Sequence, residues 1–131
     1  MDGMDLYATL AFPIEALFAY LADPGRLGDW LPQLTPAVAG PQRRAAAAAD
    51  FRLTADVDGT RLAAHGEMTA FEPPWLIGYR LFIGERARGL RVTCTVLGAG
   101  TRIHVHQPDA VPPLVIDLGR LSRALASHLS P

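Results

Sequence analysis

Apolar and polar residues alternate along successive runs between Phe51 and Gln107, with the period of two that is typical of half-buried β-strands. Turn residues separate the runs. Asp58-Gly59 supplies the positive φ angles of a tight hairpin, and Gly98-Ala99-Gly100 turns the chain before the last run. No connection is long enough for a crossover helix, so the pattern predicts antiparallel pairing. The predicted strands cover residues 51–57, 61–70, 75–83, 91–96 and 101–107.

On both sides of these predicted strands, apolar residues recur at helical spacing. After a short strand over 6–10, Pro13 suits a first helical position, and the helix is predicted to end at Asp23-Pro24-Gly25. A second short helical turn is predicted over 27–31. The run Ala45–Ala49 is too short to hold a helix and is interpreted as a strand or loop. Pro112-Pro113 opens a C-terminal helix, whose apolar stripe should lie against the sheet and comprises Leu114, Leu118, Leu121, Leu125 and Leu129.

Composition sets the outer limits of the fold and of its partners. The chain has 131 residues, half of them apolar, which suits one domain over 1–131 that buries roughly two thirds of its unfolded surface. A net charge of -1 and a pI near 6.4 argue against a nucleic-acid or anionic-membrane surface. The concentration of arginines between Arg80 and Arg91 is interpreted as a solvated loop. No apolar stretch approaches about 18 residues, and a signal peptide's basic start is missing, so a cytoplasmic protein is expected.

Several kinds of chemistry lack the residues that they need. The chain has no lysine, which excludes a Schiff base through a lysine amine. The serines lie in the final helix or tail without a nucleophile elbow. Gly98-Ala99-Gly100 leads into a strand and lacks the third glycine of a dinucleotide loop, so no cofactor is predicted. The single cysteine, Cys94, sits among valines in mid-strand and is interpreted as inert.

Three passages of the chain resemble a known superfamily. "TLAFPIEALFAYLADPGRLGDWLP" is similar to the opening of the START-like (SRPBCC) polyketide cyclase/dehydrase proteins, "GEMTAFEPPWLIGYR" to their central hairpin, and "TVLGAGTRIHVHQ" to their closing hairpin. The resemblance implies an α+β helix-grip fold. In this fold a curved antiparallel β-sheet wraps around a C-terminal helix, two short helices follow the first strand, and a hydrophobic cavity lies between sheet and helix. Members include cyclases, lipid carriers, hormone receptors and chaperone activators, so the fold alone does not choose a function.

The alternation also predicts which side chains face the cavity. If the apolar member of each pair points inward, the cavity wall is apolar, and only Tyr79, Cys94 and Gln107 bring polar atoms to it. Such a wall suits a hydrophobic ligand that a few polar contacts orient. Trp30 matches a family aromatic near the cavity mouth, although a core tryptophan is an equal alternative. The predicted ligand-binding residues are Trp30, Phe51, Leu53, Met68, Ile77, Cys94, Gln107, Leu118 and Leu121.

The histidines are possible metal ligands, but their predicted positions argue against a metal site. His104 and His106 share the outward face of the last strand because Ile103 and Val105 face inward. His65 also points outward, yet it lies about three strands away, or roughly 14 Å, which is too far for one ion to bridge. We therefore predict no metal site and interpret this face as an exposed surface or a homodimer contact.

The predicted cavity suggests two functions, and the outer surface of the protein suggests a third. The leading hypothesis is a cyclase/dehydrase-like enzyme in which the Tyr79 phenol donates a proton or hydrogen bond to a substrate carbonyl, with Gln107 as a second anchor. In the alternative for Tyr79, its hydroxyl only caps a polar end of the core. The second function is a non-catalytic carrier or sensor of a lipid-like ligand. The third is a partner surface, in which Arg86 and Arg88 would meet an acidic carrier protein.

Overall fold

The structure, a computed structural model, describes residues 4–36, 50–108 and 114–129 and consists of one antiparallel sheet with three helical segments. The helices are α1 (Ile14–Leu21), a 3₁₀ helix (Pro24–Asp29) and α2 (Leu118–Leu129). The strands are β1 (Met4–Leu10), β2 (Leu34–Pro36), β3 (Asp50–Val57), β4 (Thr60–Glu72), β5 (Leu76–Ile83), β6 (Arg86–Leu97) and β7 (Gly100–Gln107). The predicted α+β helix-grip fold, with two short helical segments after the first strand, is confirmed.

The strand order is β1-β7-β6-β5-β4-β3-β2, so the first strand pairs with the last strand of the meander. Tight turns join the strands from β3 to β7, and those at Asp58-Gly59 and Gly98 were predicted. Asp58 and Gly59 both have positive φ, as the favoured two-residue hairpin turn requires, and Gly98 has a φ of 61° before β7. The curled sheet has an inner face, which the helices cover, and an outer face that is open to solvent.

The arginine-rich segment was predicted as a solvated loop, and this prediction is wrong. Residues 86–97 form one long strand, which pairs with β5 from Leu76↔Thr93 to Ile83↔Arg86. A turn at Gly84, with a φ of 61°, connects the two strands directly. The strand was missed because Arg86, Arg88 and Gly89 obscure the alternation that is clear from Val92 onward.

A register shift between Met68 and Ala70 changes which side chains of β4 point inward. Strict alternation over the predicted strand 61–70 would place Met68 and Ala70 on one face, but the extra residue of a β-bulge reverses the alternation after it. Phe71, opposite Ile77, is therefore on the inner face, where its ring lies 5.7 Å from that of Phe18. Ala70 is opposite Gly78 on the outer face.

The C-terminal helix begins later than predicted, at Leu118. Asp117 caps its first turn, because the Asp117 carboxylate accepts a hydrogen bond from the N–H of Arg120 at 2.8 Å. Leu114 is buried, but it lies in the segment before the helix. The prolines of Pro112-Pro113 and the run Ala45–Ala49, for which we made predictions, lie outside the described residues. Of the predicted apolar stripe, α2 itself buries Leu121 and Leu125 against the core.

Candidate ligand pocket and inner face

The inner face carries the apolar side chains that alternation predicted for it. Leu53, Met68 and Ile77 are all buried, and Phe51 is half-buried with its ring over the β4 backbone at Gly66. A Cβ placed on Gly66 would lie 2.5 Å from the Phe51 ring, so the glycine makes room for that ring. These apolar side chains are therefore part of the core, and their roles in ligand binding stay predictions.

Tyr79 points inward from β5 and is fully buried. Its hydroxyl donates a 2.6 Å hydrogen bond to the backbone carbonyl of Leu21, at the last residue of α1, and its ring meets Phe51 edge-on. Burial raises the pKa of Tyr79 well above its ordinary value, and the charge of Asp23 adds to the rise. The phenol is therefore neutral at physiological pH, and its hydrogen bond to Leu21 connects α1 to the sheet.

Cys94 and Gln107 are the other two residues that were predicted to bring polar atoms to the cavity wall. Cys94 is unreactive at neutral pH, and Gln107 is hydrogen-bonded within the chain. Burial raises the pKa of Cys94 to about 11, so the group is a thiol and not a nucleophilic thiolate at neutral pH. Gln107 is 1% exposed, and both ends of its amide bond the backbone of Leu114. Its nitrogen donates to the Leu114 carbonyl at 3.0 Å, and its oxygen accepts from the Leu114 N–H at 2.9 Å. Gln107 thereby fixes the segment before α2 to β7.

A pocket of about 300 Å³ lies where this segment crosses the β1 edge of the sheet, and we call it the edge pocket. The inner-face residues Leu6 and Val105 are paired across β1 and β7 and form part of its lining. Apart from the Gln107 amide, its described lining side chains are apolar. The lining consists of Met4, Leu6, Val105, Gln107, Leu114, Val115 and Ile116.

Trp30 follows the 3₁₀ helix and lies wholly inside the core. Its carbonyl accepts a 2.9 Å hydrogen bond from the N–H of Asp117, one residue beyond Ile116 of the edge pocket. Its indole nitrogen is buried without a hydrogen-bond partner among the described residues. Leu121 is buried in the core, and Leu118 packs partly exposed against it. The ligand contacts predicted for these three residues stay predictions.

Arg88 is an inner-face residue that the sequence interpretation missed. It lies on the same side of β6 as Leu90 and Val92, and it is only 9% exposed. Burial lowers the pKa of its guanidinium, and the neighbouring charge of Arg86 adds to the effect. Extending the alternation backward from Val92 would have placed Arg88 inward. Its burial also removes Arg88 from the outer surface that we predicted for an acidic carrier protein.

The outer face brings together three residues that sequence reasoning did not combine. His104 and His106 both contact the same carboxylate oxygen of Asp5, at 2.7 and 2.8 Å. His65 is stacked on Phe82 instead, on another part of the sheet. Asp5 was overlooked because β1 is distant in sequence, although its pairing with β7 brings Asp5 directly opposite His106.

The sheet, its inner face and the docked helices define a START-like helix-grip domain. A family model described as "Polyketide cyclase / dehydrase and lipid transport" matches residues 4–126, and the chain belongs to this family. A comparison with curated protein sequences finds no match. Among the described residues, no helix is long and apolar enough to cross a membrane.

Solved structures of similar fold come from several bacteria. A Chromobacterium violaceum protein is 20% identical, with a TM-score of 0.66, and 98% of this chain and 97% of that chain are covered. A Rhodobacter sphaeroides protein is 16% identical, with a TM-score of 0.71 and coverage of 99% and 95%. DynU16, described as a protein in the dynemicin biosynthetic locus, is 18% identical, with a TM-score of 0.65. This chain is covered over 98% of its length but DynU16 over only 48%, and at these identities the likeness concerns the fold.

Proposed function

We propose that the protein binds and carries a small, mainly apolar molecule on its inner face, with the edge pocket as the point of entry. The observation that carries the proposal is the state of the three polar groups that alternation predicted for that face. Tyr79 bonds Leu21, Gln107 bonds Leu114, and the buried Cys94 is a neutral thiol. Because these three groups are engaged within the chain or are neutral, they favour retention of a ligand over its chemical conversion.

The size and lining of the edge pocket support a small ligand. Its volume of about 300 Å³ is at the lower end of the range of roughly 300–1,000 Å³ that is typical of small-molecule sites. Leu6 and Val105 offer apolar surface. The Gln107 amide lies at the end of the same strand pair, where Gln107 is opposite Met4. Burial of an apolar ligand there would remove roughly 25 cal/mol of unfavourable hydration for each Å² that it covers.

The indole N–H of Trp30 suggests one further property of the ligand. A buried donor without a partner destabilises a fold by roughly 1–3 kcal/mol, and no described residue accepts from this one. Trp30 does not line the edge pocket, so an acceptor oxygen would satisfy the N–H only on a ligand that extends from the pocket into the core. The proposed ligand is therefore apolar over most of its length and carries at least one carbonyl, ether or hydroxyl oxygen.

Native mass spectrometry of the protein purified from its own host tests this proposal. We expect an added mass of one small organic molecule, which is lost when the protein is unfolded. Anilinonaphthalene sulfonate provides a second measurement, because its fluorescence should rise with the protein and fall when an extract of the bound molecule competes. The absence of both a bound mass and dye binding would contradict the proposal.

A second candidate is the cyclase/dehydrase-like enzyme, with Tyr79 as its acid. The position of a phenol on the inner face and the cyclase description of the family support it. To act on a substrate, the hydroxyl would have to exchange its bond to Leu21 for one to a substrate carbonyl. The raised pKa of Tyr79 suits a hydrogen-bond donor and opposes a role as a base.

Replacing Tyr79 with phenylalanine separates the two candidates. We expect Y79F to retain ligand binding and to lose roughly 1–3 kcal/mol of stability, because the carbonyl of Leu21 loses its donor. Calorimetric titration with the extracted ligand and urea unfolding would measure the two effects. The exposed Tyr7, changed to phenylalanine, is the matched control. Loss of turnover by roughly 10²–10⁴-fold in Y79F, with binding unchanged, would instead establish the enzyme.

A homodimer and an acidic carrier protein stay predictions for the outer surface. Phe82 and His65 form a stacked pair there, with ring centroids 4.6 Å apart. Arg80 is also exposed on this face and lies 4.0 Å from Glu67.

A further inference from the structure

The outer face of the β1–β7 pair gathers two imidazoles and a carboxylate at its solvent-exposed edge. In the ladder Asp5 is opposite His106, and Tyr7 is opposite His104. His104 Nε2 lies 2.7 Å and His106 Nδ1 2.8 Å from Oδ1 of Asp5. The three ligand atoms lie within 4.8 Å of one another. We propose that Asp5, His104 and His106 bind a divalent transition-metal ion, with Zn²⁺ as the representative ion.

The side chains must adjust before such an ion fits, because the three ligand atoms are spread over as much as 4.8 Å. Zn²⁺ binds imidazole nitrogen at about 2.0–2.1 Å and carboxylate oxygen at about 2.0–2.2 Å, so tetrahedral ligand atoms lie about 3.3 Å apart. The present contacts to Asp5 are shorter by about half an ångström, as hydrogen bonds are, so the imidazole nitrogens would have to move away from the carboxylate to take an ion. The three side chains are 32–46% exposed, so small rotations can open the contacts without moving the sheet.

The surroundings hold the ligands in place. The Tyr7 ring is stacked on His104 with centroids 4.3 Å apart and an interplanar angle of 4°, which limits rotation of that imidazole. Solvent reaches this surface, and water can therefore supply a fourth ligand.

The ligand types also predict which ions bind. Imidazole suits zinc, copper and nickel, whereas magnesium and calcium prefer oxygen ligands. Arg91, opposite His106 on β6, opposes any cation electrostatically, so binding rests on the nitrogen ligands. An ion in this position would link residue 5 of the first strand to residues 104 and 106 of the last strand. It would therefore hold the edge strand β1, which pairs with β7 alone among the described strands.

Zinc titration of the purified chain tests the site. We expect one Zn²⁺ per chain by calorimetry and by elemental analysis after dialysis, and no comparable binding of Mg²⁺. Loss of an outer-shell partner already lowers metal affinity by roughly 10–100-fold, so D5N, H104Q and H106Q should each lower zinc affinity by at least about tenfold. H65Q, which changes a histidine elsewhere on the outer face, should leave zinc affinity unchanged.

Imidazole NMR of the unaltered chain gives a measurement that does not depend on the folding of a variant. Zinc should shift the ring signals of His104 and His106 and leave those of His65 and His128 in place. Zinc affinity that is equal in the unaltered chain and in all three ligand variants would overturn the site. Shifts confined to His65 or His128 would overturn it as well.

Discussion

Replacing Leu6 with tryptophan is expected to weaken ligand binding by at least about tenfold while the fold persists. Leu6 lines the edge pocket from the edge strand, opposite Val105, and its side chain is only partly buried. A tryptophan ring there would occupy much of a space of about 300 Å³. Because the site opens at the sheet edge, the larger ring has room to settle without the strain that a closed core would impose.

The measurement is dye displacement together with native mass spectrometry of L6W. We expect the affinity to fall by at least about tenfold, which corresponds to roughly 1.4 kcal/mol of binding free energy. Leu97→Trp is the matched control, because Leu97 is 53% exposed at the far end of β6, next to the turn into β7. Both variants should give the circular dichroism spectrum of the unaltered chain. Unchanged binding in L6W would show that the ligand does not use the edge pocket.

Replacing Trp30 with alanine is expected to have the largest effect on stability. Truncating a fully buried tryptophan typically lowers the free energy of unfolding by roughly 3–5 kcal/mol, because apolar contacts are lost and a cavity remains. Alanine keeps the backbone carbonyl that accepts from the N–H of Asp117, so the loss in W30A comes from the side chain alone. Since domains of this size have roughly 5–15 kcal/mol of stability, W30A is expected to be marginally folded.

Urea unfolding followed by far-ultraviolet circular dichroism would measure this change without relying on tryptophan fluorescence. The chain offers a matched control in Trp75, which is 52% exposed. W75A should change stability by no more than roughly 0.5 kcal/mol. A loss in W30A as small as that in W75A would contradict the burial of Trp30. W30F, which keeps an aromatic ring and removes the indole N–H, should be intermediate.

The strands and turns were predictable because their signals are local. Alternation located β3, β5 and β7 to within a residue or two, and Asp58-Gly59 marked its turn. Prediction failed where a tertiary feature overrode the pattern. The bulge after Met68 reverses the alternation without any local sign in the residues, and β2 is only three residues long, too short for periodicity to detect.

The candidate site was predictable in its apolar part and not in its polar part. Alternation alone placed Ile77 and Tyr79 inward. It did not show that the Tyr79 hydroxyl would meet the carbonyl of Leu21, 58 residues earlier, because α1 has to fold over the sheet before the two groups meet. Arg88 was missed for a different reason: its charge was interpreted as a sign of exposure, although it continues the inward alternation of β6.

The sequence by itself determined an antiparallel meander, its flanking helices and an apolar inner face, because period, turn residues and helical spacing act over a few neighbouring residues. Only the tertiary structure decided which polar groups are engaged. The Asp5 carboxylate meets His104 and His106 across 99 and 101 residues of chain, since β1 pairs with β7. Hydrogen-bond partners are chosen by the pairing and packing of whole elements, and residue patterns within one element do not encode them.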